Sequence, residues 1–414
     1  TRKSYNEIKA TLLLMSRLTL SLQKLFFQGM RSVWPVWKKG EQVWVFRDAD
    51  VREILLRDQE FTIRPVNQVK IERRIGPFLL NMDDGPTYQH EVGALRKTVK
   101  REDVQWIREF VKKHAEETLS NLTQTARFEV VRGFMREIPL RLLGAYFGTP
   151  GHEDEQMLHW NRMLFWDIFL NVADKPEIIA SADHVAPLFN EYLEHLIQEV
   201  KEKIKEGESV PDTMLTRLIQ NQVYEQQPFL DDDGIRRNIA GTLLGAEEPI
   251  AEACGNILDE LFRKPSIFAQ AQAAAMRDDI QEIEQIVFEA FRFQPNLPVI
   301  IRYAEKDLTL ASGRQIPKGK IVYAFIASAM FDARKFPDPR SFRTDRPKTD
   351  YLYFGLGLHK CFGTYVNFVV IPEMLMALLK LPGLRSAEKL IKEGPFPDRW
   401  ILEWEASGKP KQGE

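Results

Sequence analysis

The sequence predicts a mainly α-helical protein that also carries a few small β-sheets. Three observations point there. Apolar residues recur at helical spacing along most of the chain, strand signals are few and short, and the strands do not alternate with helices as βαβ units would. The 414 residues have a formal net charge of −2, with 44% hydrophobic and 28% charged residues, an ordinary globular composition with room for a large core. So balanced a charge offers no basic footprint for nucleic acid. No internal repeat or linker divides the chain, so residues 1–414 are expected to form one domain.

Residues 1–30 read as an amphipathic segment. The run "LLLMSRLTLSLQKLFF" (12–27) is broken by Arg17 and Lys24. A spanning helix needs about 20 mostly apolar residues, so no transmembrane segment is expected. "QVWVF" (42–46) is a strand pattern and "VREILLRD" (51–58) a short amphipathic helix. "VQWIREFVKKHAEETLSNL" (104–122) and "FNEYLEHLIQEVKEKIKEG" (189–207) are longer helices with one charged face. "DDDGIRRNIAGTLLGAEEPIAEACGNILDELFRKP" (231–265) reads as one very long helix, with acids at its start and an apolar middle that should cross the core. "VIIRYA" (299–304), "IVYAFIA" (321–327) and "WILEWE" (400–405) complete the strand signals, and 406–414 reads as a flexible tail. No secretory signal is legible. Two cysteines, Cys254 and Cys361, cannot build a disulfide framework, which suggests a reducing compartment or simple disuse of the residue; a cytoplasmic setting is expected.

Chemistry concentrates in "YFGLGLHKCFG" (353–363). Gly355, Gly357 and Gly363 strip side chains from a turn and permit backbone angles that other residues avoid. The helical pattern that follows places Cys361 near a helix N-terminus, where unpaired N–H groups favour a thiolate. The seven histidines show no paired metal spacing. A single thiolate without a second protein ligand suits haem, whose porphyrin supplies four nitrogens. The plain alternative is a buried, inert cysteine in a glycine turn.

The spacing Phe354, Gly355, Gly357, His359, Cys361, Gly363 resembles the cytochrome P-450 superfamily, whose haem-thiolate loop reads F-G-x-G-x-H-x-C-x-G in many bacterial members. The resemblance implies the cytochrome P-450 fold, a large helical domain with small sheets around a buried haem b. It implies Cys361 as the axial thiolate and the metal ligand. Glu289 and Arg292 match the family's E-x-x-R pair, which three-residue spacing puts on one helical face. "FDARKFPDPRSFRTDRP" (331–347) is similar to the family's meander and implies that Arg346 joins that pair in a structural network. Propionates need cations, and the resemblance implies Arg302, His359 and Arg96 for that role. His90 and Arg96 are six residues apart where the family often has four, so His90 has no assigned role.

On the opposite side of the haem the family usually carries A-G-x-[D/E]-T. The aligned stretch here is "GAEEP": Gly245 and Ala246 fill the small positions, Glu248 the acid, and Pro249 stands in place of the alcohol. Proline has no hydroxyl and no N–H, and inside a helix it removes the bond to the carbonyl four residues earlier, that of Gly245. A kink with a freed carbonyl is therefore expected, with Gly245, Ala246, Glu248 and Pro249 as the catalytic candidates. Glu248, or Glu247, could relay protons through water in an oxygen- and electron-dependent monooxygenase. The missing alcohol equally admits a peroxygenase, or an enzyme that rearranges hydroperoxides. Glu247 is read as facing solvent. A haem sensor or carrier without turnover is the reading from a different class.

The resemblance implies a hydrophobic small-molecule substrate in a pocket drawn from Phe78, Phe165, Phe169, Leu244, Leu297, Val299 and Phe396. Arg73 and Arg74 read as a solvated loop, with a substrate carboxylate as the other possibility. The further partners are O2 or peroxide and a ferredoxin-type electron donor. A basic surface including Arg96, Lys97, Lys112, Lys113 and Lys360 would serve the donor, though such helix faces are commonly just solvated.

Overall fold

In the computed structural model, residues 20–122, 126–150, 154–171, 174–225, 229–394 and 396–405 are described; the expected tail at 406–414 and most of the 1–30 segment lie outside them. Helices dominate. The longest are Val104–Leu122, Pro176–Lys205, Glu247–Phe262 and Thr364–Leu379. Among the described residues no helix is long and apolar enough to cross a membrane.

The largest sheet has five strands, in the order Val36–Lys39, Gln42–Val45, Ile321–Ala324, Ile300–Ala304 and Phe61–Thr62. Alternation along these strands sorts their side chains. Val43, Val45, Val322 and Ala324 join the main core. Trp44, Phe46, Tyr323 and Phe325 turn the other way and pack with Phe27 and Met30 of helix Leu20–Val33. The same parity puts Ile300 with the main core, but Val299 and Ile301 with the outer aromatic cluster.

The expected helix at 231–265 is two helices. Asp232–Leu244 ends at Gly245, and Glu247–Phe262 begins after Ala246 (φ −107°, ψ −63°). The cause is local. In a continuous helix the Pro249 ring would clash with the Gly245 carbonyl. Interrupting the helix at 245–246 moves Pro249 into the first turn of the second segment, where a missing N–H costs nothing. The proline therefore marks a break rather than a kink, and regular bonding resumes with Ile250 N–H to the Ala246 carbonyl at 3.1 Å.

Candidate active site: the cysteine turn and the helix break

Each glycine of the cysteine turn has its own cause. Gly355 and Gly357 have φ of +72° and +77°, angles that L side chains rarely adopt. A Cβ on Gly357 would lie 2.2 Å from the Leu55 carbonyl oxygen, so this strand of the turn rests directly on another backbone. Gly363 leaves the approach to Cys361 open; a Cβ there would stand 4.0 Å from Sγ. The turn closes with Cys361 N–H donating to the Phe354 carbonyl at 2.8 Å, and helix Thr364–Leu379 starts three residues later. Burial pushes the Cys361 thiol up; bonds from the Gly363 N–H and Thr364, together with the Lys360 charge, oppose it. A bound metal would deprotonate such a thiol outright.

Two buried polar groups beside the turn lack partners. Arg302 is 2% exposed, its Nε meets no acceptor, and Nη1 reaches only the Ile301 carbonyl at 3.0 Å. Burial lowers its guanidinium to about 10; the charges of Asp58 and Asp83 oppose this, though neither forms an ion pair with it. His359 Nδ1 is likewise buried and unpaired, and burial with the Arg302 charge pushes the ring down to about 3. A cation and an imidazole that bond no anion, beside a cysteine, fit a carboxylate-bearing group such as haem. Among the described residues no three His, Cys, Asp or Glu are placed together to hold a metal, so iron here would need ligands beyond side chains. Tyr88, whose hydroxyl donates to the Leu358 carbonyl at 2.8 Å, packs its ring 5.5 Å from His359. Arg96 is exposed on the last turn of helix Pro86–Thr98. His90 points elsewhere, with Nε2 on the Phe229 carbonyl.

Below the turn, Glu289 and Arg292 form a fully buried bidentate pair at 2.6 and 2.9 Å. Arg292 also donates to the carbonyls of Met330 and Pro339, and Arg346 Nε lies 3.5 Å from Glu289.

The helix break divides its residues by face. Gly245 is exposed and Ala246 and Pro249 are half-buried, whereas Glu247 and Glu248 are buried. The reading of Glu247 as solvent-facing is thus corrected: it is 0% exposed and neither carboxyl oxygen has a partner. Burial and the neighbouring Glu248 raise its pKa well above the ordinary value, so it is held as the neutral acid. Packing against helices Asp154–Phe165 and the Val131–Arg136 turn covers this face, which helical spacing alone does not announce. Glu248 is tied to Arg136 at 3.0 Å, with Arg162 Nε at 4.0 Å. Burial raises its carboxyl; the two arginines oppose this. Arg136 and Arg162 lie far from Glu248 in sequence, and nothing in the sequence reading pointed to them.

The apolar candidates split. Phe78 abuts Gly241, where a Cβ would meet its ring at 2.5 Å, and Leu244 is buried at the end of the first helix segment. Phe165 packs on Phe169 at 5.0 Å and on Phe396 at 6.1 Å. Leu297 is 40% exposed, and Val299 lies on the outer face of the sheet, so neither shares that wall. Strand parity selects Ile300 instead: Arg302 and Ile300 are two residues apart, and Ile300 Cδ1 would be 3.7 Å from a Cβ on Gly355. That signal was present in the sequence. Arg74 is not a solvated loop residue; it is buried and paired with Asp167 at 2.7 Å, while Arg73 is exposed and pairs with Asp183. In the basic set, Lys113 pairs with Glu117 at 3.9 Å and Lys97 sits 4.3 Å above the Phe229 ring.

The family model described as Cytochrome P450 matches residues 16–380. A putative cytochrome P450, YjiB, of Bacillus subtilis is 23% identical over 82% of this chain and 82% of its own. The mycinamicin IV hydroxylase/epoxidase of Micromonospora griseorubida is 26% identical, covering 84% of each chain. Among solved structures, P450BioI in complex with a hexadec-9Z-enoic acid-ligated acyl carrier protein superposes with a TM-score of 0.80 at 18% identity, over 93% of this chain and 99% of that one.

Proposed function

This chain belongs to the cytochrome P450 family of haem-thiolate oxidoreductases, and on that premise we propose that it is a monooxygenase of a hydrophobic small molecule. It uses O2 and electrons from a ferredoxin-type donor. The observation that carries the reading is the set of Cys361, buried Arg302 and His359, a thiol beside two groups with nitrogens that bond no anion. Cys361 would hold the iron, Arg302 and His359 would hold propionates, and Arg96 would add positive charge for them. When bound, haem supplies the oxidising chemistry that splits O2 and transfers one oxygen atom, with the thiolate pushing electron density toward cleavage.

The chain's own residues do the rest. Gly355, Gly357 and Gly363 keep the turn open, and Glu289, Arg292 and Arg346 brace it from below. Phe78, Phe165, Phe169, Leu244, Phe396 and Ile300 exclude water and orient an apolar substrate. Gly245 and Ala246 leave room at the helix break. Glu248, balanced between burial and Arg136, stores and returns a proton.

A second reading is favoured by one observation. Pro249 carries no hydroxyl, and its carbonyl is taken by the Asn296 amide at 2.8 Å. Peroxide would bring its own protons and electrons and would not need an alcohol there. A reduced, CO-bound spectrum with a thiolate-type Soret band is expected; a histidine-type band would overturn the haem-thiolate reading. Turnover with peroxide alone, set against turnover with O2 and reductant, then chooses the oxidant. Strict dependence on reductant removes the peroxide reading.

A further inference from the structure

Two tyrosines lead away from the cysteine turn, and no role assigned so far uses them. Phe354 meets Tyr353 edge-on, with ring centroids 5.0 Å apart. Tyr353 lies nearly parallel to Tyr351, at 5.3 Å and 22°. The Tyr351 hydroxyl then donates to Glu289 Oε2 at 2.9 Å. Tyr353 is closed in by Phe291 at 4.5 Å and Phe288 at 6.2 Å, and its hydroxyl is buried without a partner. The series starts at the turn itself, because the Phe354 carbonyl accepts the Cys361 N–H.

The two phenols differ in the one respect that matters for redox chemistry. A phenol that loses an electron becomes a very strong acid, so oxidation is easy only where a base can take the proton in the same event. Tyr353 has no such base and can pass an electron without keeping the vacancy. Tyr351 has a carboxylate in hydrogen-bond contact. Arg292 and the Arg343 N–H hold Glu289 in place, so accepting a proton for a short time does not release the network.

We propose that Tyr353 and Tyr351 form an electron-donating relay on the cysteine side of the haem site, with Tyr351 as its terminus. The inference rests on the haem-thiolate reading. Its oxidant is a peroxide that reacts when no substrate is bound. Tyr351 gives up, by way of Tyr353, one of the two electrons that reduction of the peroxide to water consumes, and its phenolic proton moves to Glu289. Tyr351 is left as a neutral phenoxyl radical. A small one-electron reductant of the ascorbate class restores it, with the proton returning from Glu289, and a second passage supplies the other electron. The relay diverts oxidising equivalents that would otherwise destroy the porphyrin.

The test is freeze-quench electron paramagnetic resonance of the holoprotein mixed with hydrogen peroxide, without substrate. A tyrosyl signal is expected, and it should narrow in protein grown on ring-deuterated tyrosine. Tyr351→Phe should lose that signal and bleach its haem several-fold faster in peroxide. Tyr353→Phe keeps the Tyr351–Glu289 bond intact, and should slow the appearance of the same signal without changing its shape. An unchanged signal and bleaching rate in Tyr351→Phe overturns the relay, as does a signal in Tyr353→Phe that forms at the wild-type rate. The reduced CO spectrum of the same samples separates the failures. A thiolate spectrum without a tyrosyl radical ends the relay alone, whereas a non-thiolate spectrum ends the haem reading beneath it.

Discussion

The side-chain amide of Asn296 donates to the Pro249 carbonyl at 2.8 Å, pinning the break in the central helix from the segment that follows helix Ile280–Phe293. Asn296 also accepts from Asn256 at 3.3 Å, so one residue ties two points of the second helix segment, its first turn and its middle. Asn296→Ala removes the side-chain bond to this carbonyl and the acceptor of the Asn256 amide, and should cost about 1 kcal/mol. Urea denaturation of the holoprotein measures this. A midpoint equal to wild type would mean that the break holds itself.

Arg302 should have opposite effects on the free and haem-loaded protein. Its buried guanidinium has no carboxylate partner, which penalises the apoprotein. Arg302→Met should therefore stabilise the apoprotein in urea. The same change should weaken haem binding by roughly 10- to 100-fold, the worth of a charge-assisted hydrogen bond of about 1.5–3 kcal/mol. Haem transfer to apomyoglobin reads the second effect. Equal transfer rates would remove Arg302 from the propionate role.

Gly355 and Gly357 should respond unequally to alanine. Both have positive φ, but a Cβ on Gly355 finds its nearest atom at 3.5 Å, against 2.2 Å for Gly357. Gly355→Ala should cost only the left-handed backbone penalty, about 1–2 kcal/mol. Gly357→Ala must also push the Leu55 backbone away, and should lose most haem incorporation. The ratio of Soret to protein absorbance after purification compares them, and equal loading would contradict the difference in contact.

Glu252 should give stability a pH slope. Burial raises its carboxyl from 4.5 to about 8, opposed by Lys392, while Glu248 adds to the rise. The folded protein thus keeps a proton that the unfolded chain releases. Between pH 4.5 and about 8 folding takes up that proton, so stability falls as pH rises through this window and levels off above it. Glu252→Gln should flatten the slope in chemical denaturation across the same range. A slope unchanged in the variant would place its origin elsewhere.

Pro249→Thr restores a hydroxyl in the first turn of helix Glu247–Phe262, where an N–H is tolerated. Product formed per reductant consumed should rise if the missing alcohol limits proton supply. Unchanged coupling would show that the chain manages without one.

Features that depend on near neighbours were legible in the sequence. Helix Val104–Leu122 has the boundaries its periodicity predicts, and the strands at 42, 300 and 321 begin within a residue of their patterns. Glycines at Gly355 and Gly357, and a helix disturbed at Pro249, follow from backbone sterics that need no partner. What the tertiary structure alone decided is where distant groups meet. Glu248 finds Arg136 across 112 positions, and Pro249 finds Asn296 across 47. Glu247 is buried because other elements pack over its face, while Val299 is lost to the inner wall because strand alternation turns Ile300 inward. A dipeptide carries its own torsional limits, but an ion pair or a buried acid exists only once packing has removed water around it. For that reason "FGLGLHKCFG" could name a cofactor, while its unpaired arginine and imidazole became visible only in the fold.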